Sequence, residues 1–365
     1  MSKDFFNRIN TILVTGGLGF IGSAYIKKIL EETNIKIVNI DKDGYASNKD
    51  CINKCLEKSD SNKLNNYVYY KADLKDFDNI NKIIIESIPD MIVHFAAESH
   101  VDRSIDNPRI FLENNILGTF NILEATRIFY NNLSKQKQAI FRFHHISTDE
   151  VYGSLGKSGT FHEKTPYQPR SPYSATKASS DHLVNSWFHT YGIPVLISNC
   201  SNNFGPWQFP EKFLPVVILK TLKNQNIPIY GRGVNIRDWL FVEDHINALL
   251  KIESLGKVGE SYCIGGESEI SNYELVLRIF DIINEINEEK KDYTSLLQFV
   301  SDRPGHDFRY AIDSSKIKKD LAWKIEDSLD NGLRKTIKWY MNNLKWCNEI
   351  MKKSGYIGDR IGKLK

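Results

Sequence analysis

The first 200 residues alternate short apolar runs with longer stretches whose apolar residues recur three and four positions apart. The apolar runs predict buried strands at 11–15, 36–40, 68–70, 91–97, 139–147 and 193–198. The longer stretches predict helices at 23–31, 76–87, 108–130 and 173–190. This alternation predicts the α/β fold class, with a doubly wound and mostly parallel sheet.

Beyond about residue 201 the pattern is less regular, and shorter elements alternate with loops that contain glycine and proline. We predict a nucleotide-binding domain formed mainly by residues 1–200. A smaller α/β substrate-binding lobe should be formed mainly by residues 201–350, followed by a basic tail at 351–365. Because 193–198 reads as one more core strand, we expect the two parts to interleave.

Charge and cysteine content exclude several classes of protein. The 48 basic and 45 acidic residues are well mixed and give a net charge of +3, so no nucleic-acid-binding surface is predicted. No run of about 18 apolar residues could span a bilayer, and no cleavable signal is evident. The five cysteines lack zinc-ligand spacing and favour a reducing compartment. We expect a soluble, cytoplasmic protein without a metal site.

A glycine-rich loop at 16–22 connects the first predicted strand to the first predicted helix. Gly16 or Gly17 would permit the tight turn, and Gly19 would let the backbone approach a pyrophosphate. Gly22 would let the helix pack closely, which leaves free N–H groups at the helix N-terminus for an anion. Strand, loop and helix in this order predict a Rossmann-type dinucleotide site.

Asp41 ends the second predicted strand and lies 19 residues beyond Gly22. A carboxylate at this point can accept hydrogen bonds from the adenosine ribose hydroxyls, and it would repel a 2′-phosphate. The sequence therefore favours NAD over NADP. The turn that contains Asp73 and Leu74, after the third strand, is expected on the adenine side.

Tyr173 and Lys177 lie four residues apart, so on a helix they would share one face. Pro172 suits the first helical position and Ser171 suits the N-cap. A phenol with a pKa of about 10 is a poor base, but a nearby ammonium favours the phenolate. Such a pair can take a proton from a sugar hydroxyl while a nicotinamide takes the hydride.

With these motifs in place, the chain resembles the nucleotide-diphosphate-glucose 4,6-dehydratases, within the extended short-chain dehydrogenase/reductases, from about residue 12 to residue 346. The resemblance rests on the segments HFAAESHVDRS at 94–104, ISTDEVYG at 146–153, SPYSATK at 171–177, NCSNNFGP at 199–206, PEK at 210–212, RDW at 237–239 and RPGHD at 303–307.

The resemblance implies a catalytic role for the sequence Thr148-Asp149-Glu150. After Tyr173 and NAD oxidise C4 of the hexose, Glu150 would remove the C5 proton and Asp149 would protonate the departing C6 hydroxyl. Thr148 would hydrogen-bond the C4 oxygen. The hydride would return to C6, so that a 4-keto-6-deoxy sugar forms without net consumption of NAD.

The resemblance also implies the remaining contacts. Lys177 would bind the nicotinamide ribose, and further cofactor contacts are expected from Phe20, Ile21, Ala97 and Asn203. Substrate contacts are expected from Ser99, Asn202, Lys212, Arg237, Asn272, Arg303 and His306. Arginine can make charge-assisted, bidentate contacts to phosphate, so Arg237 and Arg303 are the stronger phosphate candidates.

Several alternatives stay open at this point. The nucleotide can be dTDP or UDP, which differ by a methyl group and a 2′-hydroxyl, and a pocket distinguishes one methyl by only about 1–3 kcal/mol. A sugar-nucleotide 4-epimerase would use the same fold with Asp149 and Glu150 as bystanders. A dinucleotide-sensing protein without turnover is a third hypothesis, but such proteins generally lose the tyrosine or the lysine.

The family resemblance further implies deoxysugar biosynthesis, with rhamnose as one product, and a homodimer. The helices at 108–130 and 173–190 would pair with those of a second subunit in a four-helix bundle. Apolar residues that could serve this interface, or could instead face the sheet, are Phe111, Ile116, Phe120, Leu123, Leu183 and Trp187.

Overall fold

The computed structural model describes residues 3–58, 64–302 and 304–356. Its centre is a parallel seven-stranded sheet with the order β10-β6-β5-β4-β1-β2-β3. These strands are β1 Thr11–Thr15, β2 Lys36–Asp41, β3 Tyr67–Lys71, β4 Met91–His94, β5 Arg142–Thr148, β6 Val195–Cys200 and β10 Ser261–Ile264. The chain reverses its direction of growth between β1 and β4, which is where an open α/β sheet binds ligands.

The remaining strands form two small sheets. One contains β7 Asn202–Phe204, β9 Ile236–Phe241 and β11 Glu269–Ser271, and the other pairs β8 Ile227–Tyr230 with β12 Leu297–Val300. Since β10 returns to the large sheet beside β6, the two parts of the fold interleave as expected. The domain limits at 200 and 350 stay a prediction.

Helices cover both faces of the large sheet and the smaller lobe. In the first half they are α1 Lys3–Phe6, α2 Phe20–Glu32, α3 Asp50–Glu57, α4 Phe77–Ser87, α5 Val101–Asp106, α6 Pro108–Phe111, α7 Gly118–Asn131, α8 Lys135–Ile140 and α9 Pro172–Tyr191. In the second half they are α10 Phe213–Leu222, α11 Val242–Leu255, α12 Asn272–Asn287, α13 Ser315–Leu321, α14 Leu329–Asn342 and α15 Leu344–Ser354. Short 3₁₀ turns occur at Asp149–Tyr152 and Thr294–Leu296.

Some predicted boundaries were wrong. The strand predicted at 91–97 ends at His94. The strand predicted at 139–147 begins only at Arg142, because α8 precedes it and is capped by Ser134, whose side chain accepts a hydrogen bond from the Lys137 N–H. The strand predicted at 193–198 runs from Val195 to Cys200. The long helix predicted at 108–130 is interrupted by a π-helical segment, Leu112–Leu117.

Alternate residues of the buried strands enter different cores. Ile12 packs toward α2 and α11, whereas its neighbour Leu13 packs toward α4, α7 and α9. A separate core fills the smaller lobe between α10, α12 and α14. Each large aliphatic side chain buried in these cores contributes about 1.5–3 kcal/mol. The sheet is therefore held rigidly from both sides, and its carboxyl edge is a stable platform for a site.

Two further observations concern the described residues as a whole. None of their helices combines the length and the apolar character that crossing a membrane requires. Within the same residues, histidine, cysteine, aspartate and glutamate side chains form no group of three that could hold a metal ion.

Candidate active site

The glycine loop after β1 is closely packed against the backbone just beyond β4, the neighbouring strand of the sheet. Gly16 has a φ of +72°, and a Cβ atom there would lie 2.6 Å from the Ala96 Cα. Its N–H donates to the Ile40 carbonyl at 2.9 Å. Gly16, rather than Gly17, therefore makes the tight turn, because only glycine combines a positive φ with so close a backbone approach.

Gly19 and Gly22 serve different purposes at the start of α2. A Cβ on Gly22 would lie 2.5 Å from the Gly16 carbonyl oxygen, so this glycine lets the helix pack on the loop. A Cβ on Gly19 would meet only that same oxygen, at 3.2 Å. Gly19 therefore keeps the approach to the helix N-terminus open. The free N–H groups of the first turn suit an anion such as a pyrophosphate.

Asp41 connects the end of β2 to the glycine loop. Its carboxylate accepts hydrogen bonds from the Leu18 N–H at 3.0 Å, the Asp43 N–H at 2.9 Å and the Ser47 hydroxyl at 2.9 Å. Burial raises the pKa of Asp41 despite these three donors. The carboxylate lines the same cavity as the glycine loop.

An open cavity of about 1740 Å³ runs along the carboxyl edge of the sheet. Every residue expected to contact a dinucleotide lines it: Gly16, Gly19, Phe20, Ile21, Gly22, Asp41, Asp73, Leu74, Ala97, Tyr173, Lys177 and Asn203. Thr148 and Asp149 line it as well. Residues from distant parts of the sequence thus converge on one continuous surface.

A second cavity, of about 1260 Å³, lies between the sheet edge and the smaller lobe. It is lined by six of the residues expected to bind substrate, namely Ser99, Asn202, Lys212, Arg237, Asn272 and His306. Arg303, the other expected phosphate ligand, lies outside the described residues. The two cavities share Ser99, Glu150, Asn202, Asn203, Gln208, Glu211 and Lys212.

Arg237 is held in position at the wall of the second cavity. It is buried, its guanidinium donates to the carbonyls of Ile236 at 2.7 Å and Asp307 at 3.0 Å, and it lies 4.3 Å above the ring of Tyr310. Lys212 reaches back to the carbonyl of Ser99 at 3.0 Å. Two cations therefore line a cleft that is large enough for a phosphorylated ligand.

The helix α9 begins as expected and presents Tyr173 and Lys177 to the first cavity. Ser171 and Ser174 form a reciprocal capping box, with Pro172 at the first helical position. Tyr173 and Lys177 are both buried. The Lys177 ammonium donates to the Ile146 carbonyl at 2.8 Å, which fixes the lysine beside β5.

The expected lowering of the Tyr173 pKa is outweighed by other effects in this pocket. Burial and the charge of Glu150 raise the pKa of Tyr173 well above its ordinary value, although a hydrogen bond with Thr148 lowers it. In this pocket the phenol therefore keeps its proton near neutral pH. The cause is the low polarity of the surroundings together with neighbouring carboxyl groups, which oppose a further negative charge.

The acid pair occupies the turn that directly follows β5. The Thr148 hydroxyl donates to the Asp149 carboxylate at 3.3 Å and accepts from the Glu150 N–H at 3.3 Å. Burial raises the pKa of Asp149 well above its ordinary value, and the charges of Glu150 and Asp238 add to this effect. The raised pKa favours the protonated form of Asp149, which suits a proton donor, while Glu150 lines both cavities.

Asp181 is a buried acid that the sequence analysis missed. Its carboxylate accepts hydrogen bonds from the His145 ring at 3.1 Å, the Ser147 hydroxyl at 2.8 Å, the Tyr167 hydroxyl at 2.9 Å and the Asn199 amide at 3.2 Å. The available signal was its position four residues beyond Lys177, on the same face of α9.

Glu211 was also missed, although it lies in one of the family motifs. It lines both cavities and accepts from the Arg103 guanidinium at 2.8 Å. Arg103 in turn lies 4.0 Å above the ring of Tyr45, from the loop after β2. The contact between Arg103 and Glu211 joins residues 108 positions apart, and no local pattern indicates either contact.

The fold and the site together define a dinucleotide-binding α/β protein of the extended short-chain dehydrogenase/reductase class. The chain belongs to the GDP-mannose 4,6 dehydratase family, whose model matches residues 13–336. The resemblance that the sequence motifs indicated is thereby confirmed.

Comparisons with individual proteins show which activities occur among the relatives of this chain. The chain is 49% identical over 353 residues to dTDP-glucose 4,6-dehydratase 1 of Escherichia coli (strain K12). The alignment covers 94% of this chain and 96% of that protein. It is similar to the crystal structure of dTDP-glucose 4,6-dehydratase from Bacillus anthracis in complex with NAD, with a TM-score of 0.80, 36% identity and coverage of 93% and 99%. UDP-glucose 4-epimerase from Thermotoga maritima, with UDP-glucose, is more distant, with a TM-score of 0.76, 25% identity and coverage of 92% and 99%.

Proposed function

We propose that this protein dehydrates dTDP-glucose to the 4-keto-6-deoxy sugar nucleotide, with NAD as its cofactor. The observation that carries the proposal is the acid pair. Asp149 keeps its proton in a buried site, and Glu150, the next residue, lines both the dinucleotide cavity and the second cavity. Eliminating water from a hexose needs one acid and one base that act at neighbouring carbons, and we assign these roles to Asp149 and Glu150 respectively.

The residues around the first cavity fit a dinucleotide. Gly19 leaves the N-terminus of α2 open to a pyrophosphate, and the Asp41 carboxylate lies where ribose hydroxyls can donate to it. Lys177 lines the part of the cavity next to Tyr173 and suits the nicotinamide ribose. When bound, NAD supplies a positive charge beside the phenol and a carrier that takes hydride from C4 and later returns it to C6.

Tyr173 would act in the first step as the acceptor of the C4 hydroxyl proton. Its hydrogen bond with Thr148 fixes the direction of the phenol, and Thr148 would hydrogen-bond the C4 oxygen. Lys177 holds its charge close to the tyrosine and favours the phenolate once the site is filled. The three side chains together would orient the sugar for oxidation at C4.

Asp149 and Glu150 would act in the elimination. The C4 carbonyl makes the neighbouring C5–H acidic, so Glu150 can remove that proton. Asp149 then donates its proton to the departing C6 hydroxyl, and water leaves. As hydride adds at C6, Glu150 would return its proton to C5, which completes the 4-keto-6-deoxy sugar. Because burial raises the pKa of Asp149 and so favours its protonated form, this residue suits the role of the acid in the elimination.

The second cavity would hold the nucleotide diphosphate. Arg237 and Lys212 supply positive charge, and Asn272 and His306 supply further polar contacts along the same wall. Ser99 and Asn202, shared by both cavities, would contact the sugar and the diphosphate. A role for Arg303 is proposed from the sequence motif alone.

The nucleotide and the pathway are part of the proposal. The protein from Escherichia coli that is 49% identical is named for dTDP-glucose, which favours thymidine over uridine. The product would enter deoxysugar biosynthesis, such as the formation of rhamnose. A 4-epimerase would not need Asp149 and Glu150, and a protein that only senses a dinucleotide would not need the buried Tyr173 and Lys177 together. Both are therefore weaker alternatives.

Separate incubations with dTDP-glucose and UDP-glucose test the function directly. The 4-keto product is detected by its alkali-induced absorbance, and its mass is measured. Loss of one water from dTDP-glucose supports the proposal, and faster turnover of UDP-glucose would reassign the nucleotide. A galactose product of unchanged mass would establish an epimerase, and absence of any product would leave only the sensing role.

We further propose a homodimer formed through α7 and α9, which pack side by side. Three of the residues expected at the interface, Phe111, Leu123 and Trp187, are already buried within the chain. The apolar residues that remain exposed on this side are Ile110, Leu112, Leu117, Phe120 and Tyr191. Sedimentation at twice 42.0 kDa would agree, and a monomer at micromolar concentration would refute the proposal. The cytoplasmic location expected from the cysteines stays a prediction.

A further inference from the structure

The catalytic helix carries a third buried ionisable group at the spacing of the first two. Tyr173, Lys177 and Asp181 follow one another at intervals of four residues on α9, so they lie on one face of the helix. Their exposed fractions are 7%, 4% and 0%. The proposed mechanism uses the tyrosine and the lysine but leaves the acid without a role.

The carboxylate of Asp181 is charged although it is fully buried. Burial alone raises the pKa of this group, but hydrogen bonds from His145 and Ser147 and the charge of Lys177 outweigh burial and hold the pKa below its ordinary value. Tyr167 and Asn199 complete the set of donors. A buried carboxylate that accepts this many hydrogen bonds is stabilised in its charged form.

Lys177 depends on that negative charge. Burial lowers the pKa of the ammonium, whereas the Asp181 carboxylate raises it. The Lys177 Nζ lies 2.8 Å from the Ile146 carbonyl and 3.5 Å from the His145 Nε2. Because His145 Nε2 also contacts the Asp181 carboxylate at 3.1 Å, the imidazole lies between the two charges and donates its Nε2–H to the acid.

Among the described residues, the other ionisable groups beside Lys177 have pKa values that favour their uncharged forms. On β4 and β5, burial lowers the pKa of His94 well below its ordinary value and that of His145 to about 4. On β6, burial raises the pKa of the Cys200 thiol to about 12. Tyr173, one turn earlier on the same helix, keeps its proton for the reason given above. Asp181 thus supplies the negative charge that balances the buried ammonium.

We propose that Asp181 is a positioning residue of the reaction, the buried counterion that keeps Lys177 protonated while Tyr173 gives and takes its proton. The proposal rests on the proposed function, since it assigns Asp181 to the same tyrosine–lysine pair. Without the carboxylate, the lysine would lose its proton at a lower pH and the phenolate would lose its neighbouring charge.

The pH dependence of turnover tests this role. In Asp181→Asn, the alkaline limb of the kcat profile should move to lower pH by about one unit or more, as expected for loss of a nearby opposite charge. Tyr167→Phe is the matched control, because it removes a donor to the same carboxylate but leaves the charge, and its alkaline limb should not move. A uniform loss of rate in Asp181→Asn, with the limb unmoved, would mean that Asp181 is only structural.

Thermal unfolding provides a test that does not depend on turnover. If the two charges are partners, Lys177→Met and Asp181→Asn should each lower the unfolding temperature, and the double variant should lose less than the sum of the two. Additive losses would overturn the proposal. Where Asp181→Asn does not fold, recovery of folding by added Lys177→Met supports the pairing, and failure to recover contradicts it. If the wild-type protein turns over no sugar nucleotide, the proposed function is wrong. The unfolding temperatures of the single and double variants still test whether Asp181 and Lys177 are partners.

Discussion

Two adjacent histidines on β5 point to opposite faces of the sheet, and each contacts a buried acid from a helix. His144 lies 3.0 Å from Glu253 on α11, and His145 lies 3.1 Å from Asp181 on α9. All four side chains are fully buried. In the primary sequence the two pairs look alike, yet only the second lies beside the catalytic residues.

The pair formed by His144 and Glu253 is neutral. Burial raises the pKa of Glu253 well above its ordinary value and lowers the pKa of His144 to about 3. Glu253 then donates its proton to His144 Nδ1 and accepts from the Tyr25 hydroxyl at 2.9 Å. The His144 Nε2–H donates to Ser198 at 3.1 Å. These hydrogen bonds can all form between neutral groups, so no charge is needed.

The pair formed by His145 and Asp181 carries a charge on its acid. Asp181 has four donors and a lysine nearby, whereas Glu253 has one phenol and one imidazole. The comparison shows that burial alone does not decide the charge of an acid. Donors and a nearby cation decide it, and here they occur only on the face that holds Tyr173 and Lys177.

Among variants on the two faces of the sheet, Tyr173→Phe is expected to have the largest effect. The change removes the proton acceptor of the first oxidation and no packing volume of consequence, so turnover should fall by about 10²- to 10⁴-fold while folding and NAD binding remain. Initial rates and NAD titration measure this. Tyr25→Phe, which removes a phenol hydroxyl on the opposite face, is the control. Its free energy of unfolding should fall by about 1 kcal/mol, and its turnover should be normal. A Tyr173→Phe enzyme with near-wild-type turnover would contradict the assignment.

The acid pair gives the next largest effect. Asp149→Asn and Glu150→Gln should spare the oxidation at C4 and block the later steps, because each keeps the side-chain shape and removes only the acid or the base. Under single-turnover conditions NADH absorbance should therefore appear and persist. If neither variant forms NADH and neither binds substrate, the two acids have a structural role and the dehydration mechanism is wrong.

The sequence was sufficient for local features of the fold and site. Gly16, Asp41, Ser171 and Tyr173 lie within motifs whose spacing already defines a turn, a strand end or a helix cap, and the structure brings Gly16, Asp41 and Tyr173 to one edge of the sheet. Strand ends were predicted less well. The segment before Arg142, for example, is apolar enough for a strand but is taken by the capped helix α8.

The charges within the site were beyond sequence reasoning. The pKa of Tyr173 depends on how completely the chain surrounds it and on Glu150, and neither can be read from the spacing of Tyr173 and Lys177. Asp181 was overlooked for the same reason, because three of its donors come from β5, β6 and the loop before α9. Tertiary burial, which no local pattern encodes, sets these properties.

Asp41 is a third buried acid that sharpens the comparison. Like Asp181 it accepts several hydrogen bonds, three in all, but like Glu253 it has a pKa that burial raises. Its properties are therefore intermediate between those of the other two acids. Asp41→Ala should weaken NAD binding by about tenfold, the effect of losing a hydrogen bond to a charged group, and should weaken NADP binding less. Ser47→Ala, which loosens the loop but keeps the carboxylate, is the control for stability.

Cofactor preference and retention follow from the same carboxylate. Wild-type protein should discriminate against the 2′-phosphate of NADP, and it should purify with some NAD(H) and need no added reductant, since the hydride returns to the product. Equal turnover with NADP, or a requirement for stoichiometric NADH, would count against this role for Asp41.

The smallest expected effect is the change with pH in the stability of Glu253→Gln, and it tests the contrast between the two faces of the sheet most directly. Glutamine can donate to His144 and accept from Tyr25 as the protonated glutamate does, so at pH 5 the variant should lie within about 1 kcal/mol of wild type. Because the folded pKa of Glu253 is raised, its stabilising effect is complete below the unfolded value of about 4.3 and is lost as pH rises. The variant should therefore gain stability relative to wild type between pH 5 and 8.

Asp181→Asn should show the opposite trend, because its folded pKa is lowered. The carboxylate stabilises the fold above its unfolded pKa of about 3.9 and loses that effect only as pH falls below it. The cost of Asp181→Asn is therefore complete from pH 5 upward and should shrink only in acid. Urea unfolding of both variants from pH 4 to 8 measures the two slopes. Parallel slopes would mean that the acids on the two faces share one charge state, and the contrast between a neutral and a charged face would have to be abandoned.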